Sequence, residues 1–144
     1  MIELKHVVIG GMVVAAALFT CYARAGEHWT EMHIGSRHAD REAGYNETNL
    51  GLGYMYGVNP HVEVGAGFYK NSEYNQTQYV GGDLHTDTRY PIRVGVSAGM
   101  VTGYANTIVM VLPNVTMTEG RVRIKVGWLP GNNGLIALTT GFRF

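Results

Sequence analysis

The side chains able to carry charge or a proton sit at alternate positions of short apolar runs. Glu31, His33 and Arg37 alternate with Met32 and Ile34, and Arg121, Arg123 and Lys125 alternate with Val122, Ile124 and Val126. Arg93 and Arg143 fall the same way among Ile92, Val94, Phe142 and Phe144, and Glu63 lies between Val62 and Val64. A period of two puts alternate side chains on opposite faces of a strand, so these groups share a face that the apolar residues avoid. Acids and bases gathered on the inner face of a closed sheet would pair across it and form a plug. His33 belongs to the same face, where an inward polar group paired with Glu31 or Glu63 is one role open to it.

The strands that must position these groups are read from the same alternation. It is strongest from Tyr45 to Ser72, where Leu50, Leu52, Tyr54, Tyr56 and Val58 take every second position up to a turn at Asn59-Pro60. Val62, Val64, Ala66 and Phe68 continue it beyond the turn, with small residues between. Further strands are expected at His28 to His38, about Thr77 to His85 (of ambiguous facing), Ile92 to Val101, Ile108 to Thr118, Arg121 to Trp128 and Leu135 to Phe144. Glu119-Gly120 is a hairpin signal, and a turn through Asp87 and Arg89 precedes Pro91. A soluble sandwich would bury the apolar face against a second sheet, whereas a membrane barrel turns it to lipid. An even count of eight, strand lengths near the roughly 9–11 residues of a tilted span, and short turns alternating with longer loops favour the barrel. The expected fold is all-β, an eight-stranded antiparallel transmembrane β-barrel of the outer-membrane type, with both termini periplasmic.

That topology gives each inward residue a height. Charged groups collect in the lower half, while Gly51, Gly53, Gly67, Tyr69, Gly99, Val101, Ile108, Met110, Leu112, Leu135 and Ala137 fall in the upper half. A barrel of eight strands has room inside for its own side chains or for one small ligand. Small and apolar residues above a charged floor would either fill that space themselves or leave room for something greasy. Pro113 and Pro130 lack an N–H and weaken the ladder wherever they stand.

Residues 1–25 read as a secretory signal: Lys5 and His6, an apolar core from Val7 to Phe19, then Ala23-Arg24-Ala25 as a small-x-small cleavage site. The core is shorter than the roughly 20 residues of a membrane helix. Cys21 invites a lipoprotein reading that Phe19-Thr20 fits poorly. Residues 26–144 then form one domain without a cysteine, hence without a disulfide. With Glu3, Lys5 and Arg24 in the leader, the rest carries one acid more than bases, which gives no reason to expect nucleic acid.

Taken in order from about His33 to Phe144, the chain resembles the lipid A palmitoyltransferase family of outer-membrane enzymes, the PagP type. The resemblance runs through Tyr45-Asn46-Glu47, the alternating Gly51 and Gly53, Lys70-Asn71-Ser72, Leu112-Pro113, Leu129-Pro130-Gly131 with the following Asn-Asn-Gly, and the aromatic end. It implies transfer of an acyl chain from a phospholipid to lipid A, without a metal or soluble cofactor. The family histidine maps to His33, or less well to His38, as the base; its serine maps to Ser72. Asn71 stands at the aspartate position, where a neutral amide orients a histidine but does not stabilise its cation. An aspartate at 71 would restore that role. Pro113 and Pro130 map to a lateral gate for lipid, and Gly51, Gly53, Gly67, Tyr69, Gly99, Val101, Met110, Leu112 and Ala137 to the acyl pocket. Against the pattern, the family's N-terminal amphipathic helix has no counterpart here. Asn71 and Ser72 also suit an ordinary turn.

The implied partners are outer-membrane phospholipid and lipopolysaccharide. The closing amphipathic strand with its terminal Phe144 resembles the signal read by the barrel-assembly machinery. A monomer is expected. Two other readings stand beside the transferase: a non-catalytic small barrel serving membrane integrity, adhesion or surface exclusion, and a lipid A deacylase.

Overall fold

The computed structural model describes residues 26–86, 90–131 and 134–144. The expected signal at 1–25, the Asp87 to Arg89 turn and Asn132-Asn133 of the last loop lie outside the described residues. Eight strands follow one another: β1 (His28–His38), β2 (Gly51–Asn59), β3 (Val62–Lys70), β4 (Gln76–His85), β5 (Ile92–Val101), β6 (Ile108–Glu119), β7 (Val122–Leu129) and β8 (Leu135–Arg143). Each pairs antiparallel with its neighbours in sequence, and β1 pairs with β8 to close a barrel. Tight turns join β2 to β3 and β6 to β7 at one end, the turn end, where β4 also ends and β5 begins; the segments 39–50, 71–75 and 102–107 lie at the other, the loop end, where β7 ends and β8 begins.

Burial is inverted relative to a water-soluble domain. Leu52, Phe68, Val94, Ile124 and Phe142 are among many large apolar side chains left 40–60% exposed on the outside. Among the described residues only Trp29, Met55 and Val101 are buried hydrophobics, against thirteen buried polar or charged residues. A continuous apolar belt of this extent far exceeds the few hundred Å² that a soluble monomer exposes. It is the pattern of a barrel whose strands alternate apolar-out and polar-in.

Three details of facing differ from the sequence reading. First, β1 carries a bulge: His33 pairs with Thr139 and Gly35 with the adjacent Leu138, so Ile34 is the extra residue. An extra residue reverses the alternation beyond it, turning Ser36 inward and Arg37 outward to Glu47 at 3.6 Å. Second, β4 settles with Thr77, Tyr79 and Asp83 inward, because Tyr79 pairs with Gly67 and Asp83 with Glu63. Third, Arg121 lies exposed at the turn end and does not join the lumen charges. The ladder of β2 begins only at Gly51, and residues 45–50 run beside β1 and β3 through single bonds such as Ser36 N–H to the Glu47 carbonyl at 2.9 Å.

The β6–β7 seam is incomplete. On its β5 side β6 is paired all the way from Met117 to Ile108, but on its β7 side the register stops at Asn114 opposite Gly127. Pro113 is the next residue. The β5 ladder passes through it opposite Val96 without a shift, so the missing N–H falls on the β7 side.

Candidate functional site: a cavity above a charged floor

The floor is built by inward positions of β1, β3, β4, β5 and β7. Arg123 donates to Glu31 Oε1 at 2.6 Å and to Glu63 Oε2 at 2.7 Å. Lys125 Nζ reaches Asp83 at 2.7 Å and Glu31 at 3.1 Å, and Arg93 reaches Glu63 at 3.3 Å. His85 lies 3.6 Å from the same Glu63 oxygen. Glu63 and Asp83 stand directly opposite one another on β3 and β4. Such a like-charge pair is destabilising by itself, and the cations from β7 reconcile it. The Arg123 guanidinium lies 4.3 Å from the Trp29 ring, a cation–π contact. Arg143 pairs with Glu27 nearer the turn end. The expected plug is therefore present, with Asp83 added and Arg121 left out.

Above this floor lies a cavity of about 160 Å³. That is near the ~150 Å³ of an apolar protein cavity able to hold a benzene ring. Its β5–β8 wall is apolar, with Val101, Met110, Leu112, Leu135 and Ala137. The facing wall is aromatic and polar, with His33, Tyr69 and Tyr79. Towards the floor the lining turns polar, where Asn114 donates to Ser97 Oγ at 2.9 Å.

The aromatic wall depends on the glycines. Tyr79 rises from β4 and crosses β3 and β2 to reach β1, where its hydroxyl lies 3.1 Å from His33 Nε2. A Cβ at Gly53 would stand 2.0 Å from the Tyr79 hydroxyl, and one at Gly67 2.7 Å from its ring. His33 also meets the Tyr69 ring at 5.0 Å between centroids. The Tyr69 hydroxyl in turn contacts Tyr104 of the loop after β5, whose phenol burial holds above its ordinary range.

Asparagine side chains clamp the loop end. Asn46 Nδ2 donates to the Asn71 carbonyl at 3.0 Å, and Asn49 Nδ2 to the Lys70 carbonyl at 2.9 Å. Asn71 is fully buried: its Oδ1 accepts from the Glu73 and Asn75 amides at 2.9 Å each, and its Nδ2 donates to the Gly103 carbonyl at 2.9 Å. Gly103 has φ +84°, and a Cβ there would stand 2.5 Å from the Gln76 carbonyl, so the third loop fits only without a side chain.

Of the three residues that the resemblance singled out for chemistry, His33 and Ser72 both line the cavity. No hydrogen bond joins His33 to Asn71 or Ser72 among the described residues; the partner of His33 is Tyr79. The amide of Asn71 is spent on the loops. His38 is buried away from the cavity and stacks on Tyr45 at 4.5 Å. Tyr69, Gly99, Val101, Met110, Leu112 and Ala137 line the cavity; Gly53 and Gly67 lie behind the Tyr79 ring, and Gly51 packs against the backbone of Phe68 and Tyr69. Pro113 stands where the β6–β7 ladder ends, and Pro130 just beyond β7 at the same seam. Tyr79, Asp83 and Tyr104 were missed. Parity does not carry across the β3–β4 loop, and only the pairing of β4 with Glu63 and Gly67 turns the first two inward.

No family model matches the chain, and no curated protein matches it. Solved structures do. A designed transmembrane β-barrel superposes with a TM-score of 0.67 at 14% identity, over 84% of this chain and 98% of that one. The N-terminal β-barrel domain of OprF from Pseudomonas aeruginosa gives 0.51 at 17% identity, over 83% of this chain and 100% of that one. These likenesses concern the barrel fold alone.

Proposed function

We propose that the chain is a small outer-membrane barrel whose loop-side lumen holds part of one acyl chain of a membrane lipid, in a non-catalytic structural or surface role. The observation that carries this reading is the coincidence of the cavity with the open seam: Leu112 and Gly127 line the cavity and flank the point at which the β6–β7 ladder ends. The apolar belt supports residence in a bilayer. The short turns and longer loops support an orientation with loops outside and both termini in the periplasm. The test is native mass spectrometry of the barrel extracted in mild detergent. One phospholipid or lipid A molecule retained per barrel is expected, with retention lost in Ala137→Phe, which fills the cavity. An empty wild-type barrel, or undiminished retention in Ala137→Phe, refutes the reading.

A second reading, acyl transfer from a phospholipid to lipid A with His33 as base and Ser72 beside it, is favoured by one observation: both residues face the same cavity. Against it, Asn71 is buried with both atoms of its amide engaged by the loops and makes no hydrogen bond to His33. Mass spectrometry of lipid A from cells with and without the protein separates the two. A gain of one acyl chain, abolished by His33→Ala and by Ser72→Ala, establishes transfer; a loss establishes deacylation; unchanged lipid A leaves the holding role.

A further inference from the structure

The cavity contains one polar unit whose hydrogen-bond capacity is not used up by the protein. His33 and Tyr79 meet at 3.1 Å through Nε2 and the phenol oxygen, and neither has another hydrogen-bond partner among the described residues. A neutral imidazole carries one N–H and one lone pair, while a phenol carries one O–H and can also accept. Two arrangements are therefore possible. If Nε2–H donates to Tyr79, the tyrosine's own proton has no acceptor and the Nδ1 lone pair is also idle. If Tyr79 donates to Nε2, both of those are satisfied, and a single donor, Nδ1–H, remains. Each arrangement leaves one donor unused, so the choice rests on strength: the phenol is a better proton donor than the imidazole N–H, and an imidazole nitrogen is a better acceptor than a phenol oxygen, which favours the second arrangement.

The surroundings reinforce this choice. The Tyr69 ring packs against His33 on one side and Tyr79 meets it edge-on at 5.3 Å between centroids, so the imidazole cannot readily turn over. The wall opposite is apolar at Val101, Met110, Leu112 and Leu135, and among the described residues none makes a hydrogen bond to Nδ1. An occupant that satisfies it must be apolar enough to lie against Met110 and Leu112 and must carry a hydrogen-bond acceptor at the height of His33. A fatty acyl ester has both features, in its chain and its carbonyl oxygen.

We infer that Tyr79 fixes His33 as the Nδ1–H tautomer, and that His33 is a hydrogen-bond donor to the ester carbonyl of the lipid held in the cavity. This rests on the lipid-holding reading for its ligand, but the tautomer is independent of it. It also occupies Nε2, so that His33 keeps no free lone pair for the base role that the resemblance assigns to it.

The experiment has two arms. In the first, nitrogen NMR of histidine-labelled barrel in bicelles, with the His33 signals identified by their loss in His33→Asn, reads the tautomer directly. Wild type is expected to be protonated at Nδ1, and Tyr79→Phe to revert towards the Nε2–H form while keeping the barrel's amide spectrum. An Nε2–H wild type, or a tautomer unmoved by Tyr79→Phe, overturns the inference even if lipid binds. In the second arm, the barrel is titrated with short-chain diacyl phosphatidylcholine and with its ether-linked analogue, which lacks the carbonyls. One hydrogen bond corresponds to about a 3- to 10-fold preference for the ester, expected in wild type and lost in His33→Ala. Equal binding of ester and ether by wild type overturns the donor role. Binding of neither, with the Nδ1–H tautomer confirmed, overturns the lipid as ligand and leaves the Tyr79 assignment standing.

Discussion

Removing Arg123 tests whether the floor is held by its charges. Its two hydrogen bonds, to Glu31 at 2.6 Å and Glu63 at 2.7 Å, join strands far apart in the chain. Arg123→Met retains most of the volume and deletes the charge. A hydrogen bond to a charged group contributes about 1.5–3 kcal/mol, so two contacts set a range of roughly 3–6 kcal/mol. The measured cost of breaking buried ion pairs, about 3–5 kcal/mol, falls within it. The lower half is expected here, because Glu31 keeps Lys125 at 3.1 Å and Glu63 keeps Arg93 at 3.3 Å. The expected loss is therefore about 3–4 kcal/mol, or several hundred-fold in the folding equilibrium.

The assay is urea unfolding of the barrel in phospholipid vesicles, read from tryptophan fluorescence in a Trp128→Phe background, so that the signal is that of Trp29, whose ring lies against Arg123. A companion variant makes the argument sharper. Adding Glu31→Gln to Arg123→Met removes the carboxylate left in excess and leaves Glu63 paired with Arg93 and Asp83 with Lys125; removing a buried charge together with its partner is often harmless. The double variant should recover much of the loss although it has fewer ionic contacts. A loss below about 1 kcal/mol for Arg123→Met, or a double variant weaker than the single one, would refute the account of the floor.

Other perturbations follow from single contacts. Gly141→Ala puts a Cβ 2.9 Å from Arg123 Cγ and Nε; a loss of about 1–3 kcal/mol in the same unfolding assay is expected without any change of charge, and none at all would mean the guanidinium stem is loosely held. Asn71→Asp sets a carboxylate against the Gly103 carbonyl in place of an amide donor at 2.9 Å. It should cost about 1–3 kcal/mol and speed proteolysis at the loops, and an unchanged digestion rate would show the clamp to be unimportant. Pro113→Ala returns an N–H to the β7 side of β6, and amide exchange at Trp128 and Leu129 should slow by about 2- to 10-fold; unaltered exchange would mean that something other than the proline ends the ladder. Gly53→Ala meets the Tyr79 hydroxyl at 2.0 Å, so the His33 ring signals should shift towards those of Tyr79→Phe, and unmoved signals would contradict the path traced for that ring.

Strand positions were legible because the two-residue period is local, a property of consecutive side chains on a pleated ribbon. All eight expected strands occur, with ends that differ by a residue or two apart from the later start of β2. Facing was less legible where it depended on partners. Nothing within β1 announces the bulge at Ile34, because it arises from the fit of β1 against β8. In β4 polar residues occupy both parities, and only pairing with Glu63 and Gly67 decides between them. The role of Asn71 was hidden for a similar reason: the carbonyl it binds belongs to Gly103, in another loop. A turn residue and a catalytic one look alike until the third loop is in place.

The glycines show how the cavity and its polar wall arise together. Gly53 and Gly67 are directly paired on β2 and β3, and their bare backbones form a shallow track on the inner wall. Left empty, that track would widen the lumen on the β2–β3 side, and the ligand space would lie against the backbone. Tyr79 fills it instead, lying flat enough for its hydroxyl to pass β3 and β2 and arrive at His33 on β1. The open volume is thereby displaced across the lumen to the β5–β8 side, against Met110, Leu112 and Ala137 and next to the unzipped seam. Side chains larger than glycine at 53 and 67 would push the tyrosine into that volume. One pair of small residues therefore sets three things at once: where the cavity lies, which nitrogen of His33 is occupied, and how close an occupant of the cavity can come to the β6–β7 opening.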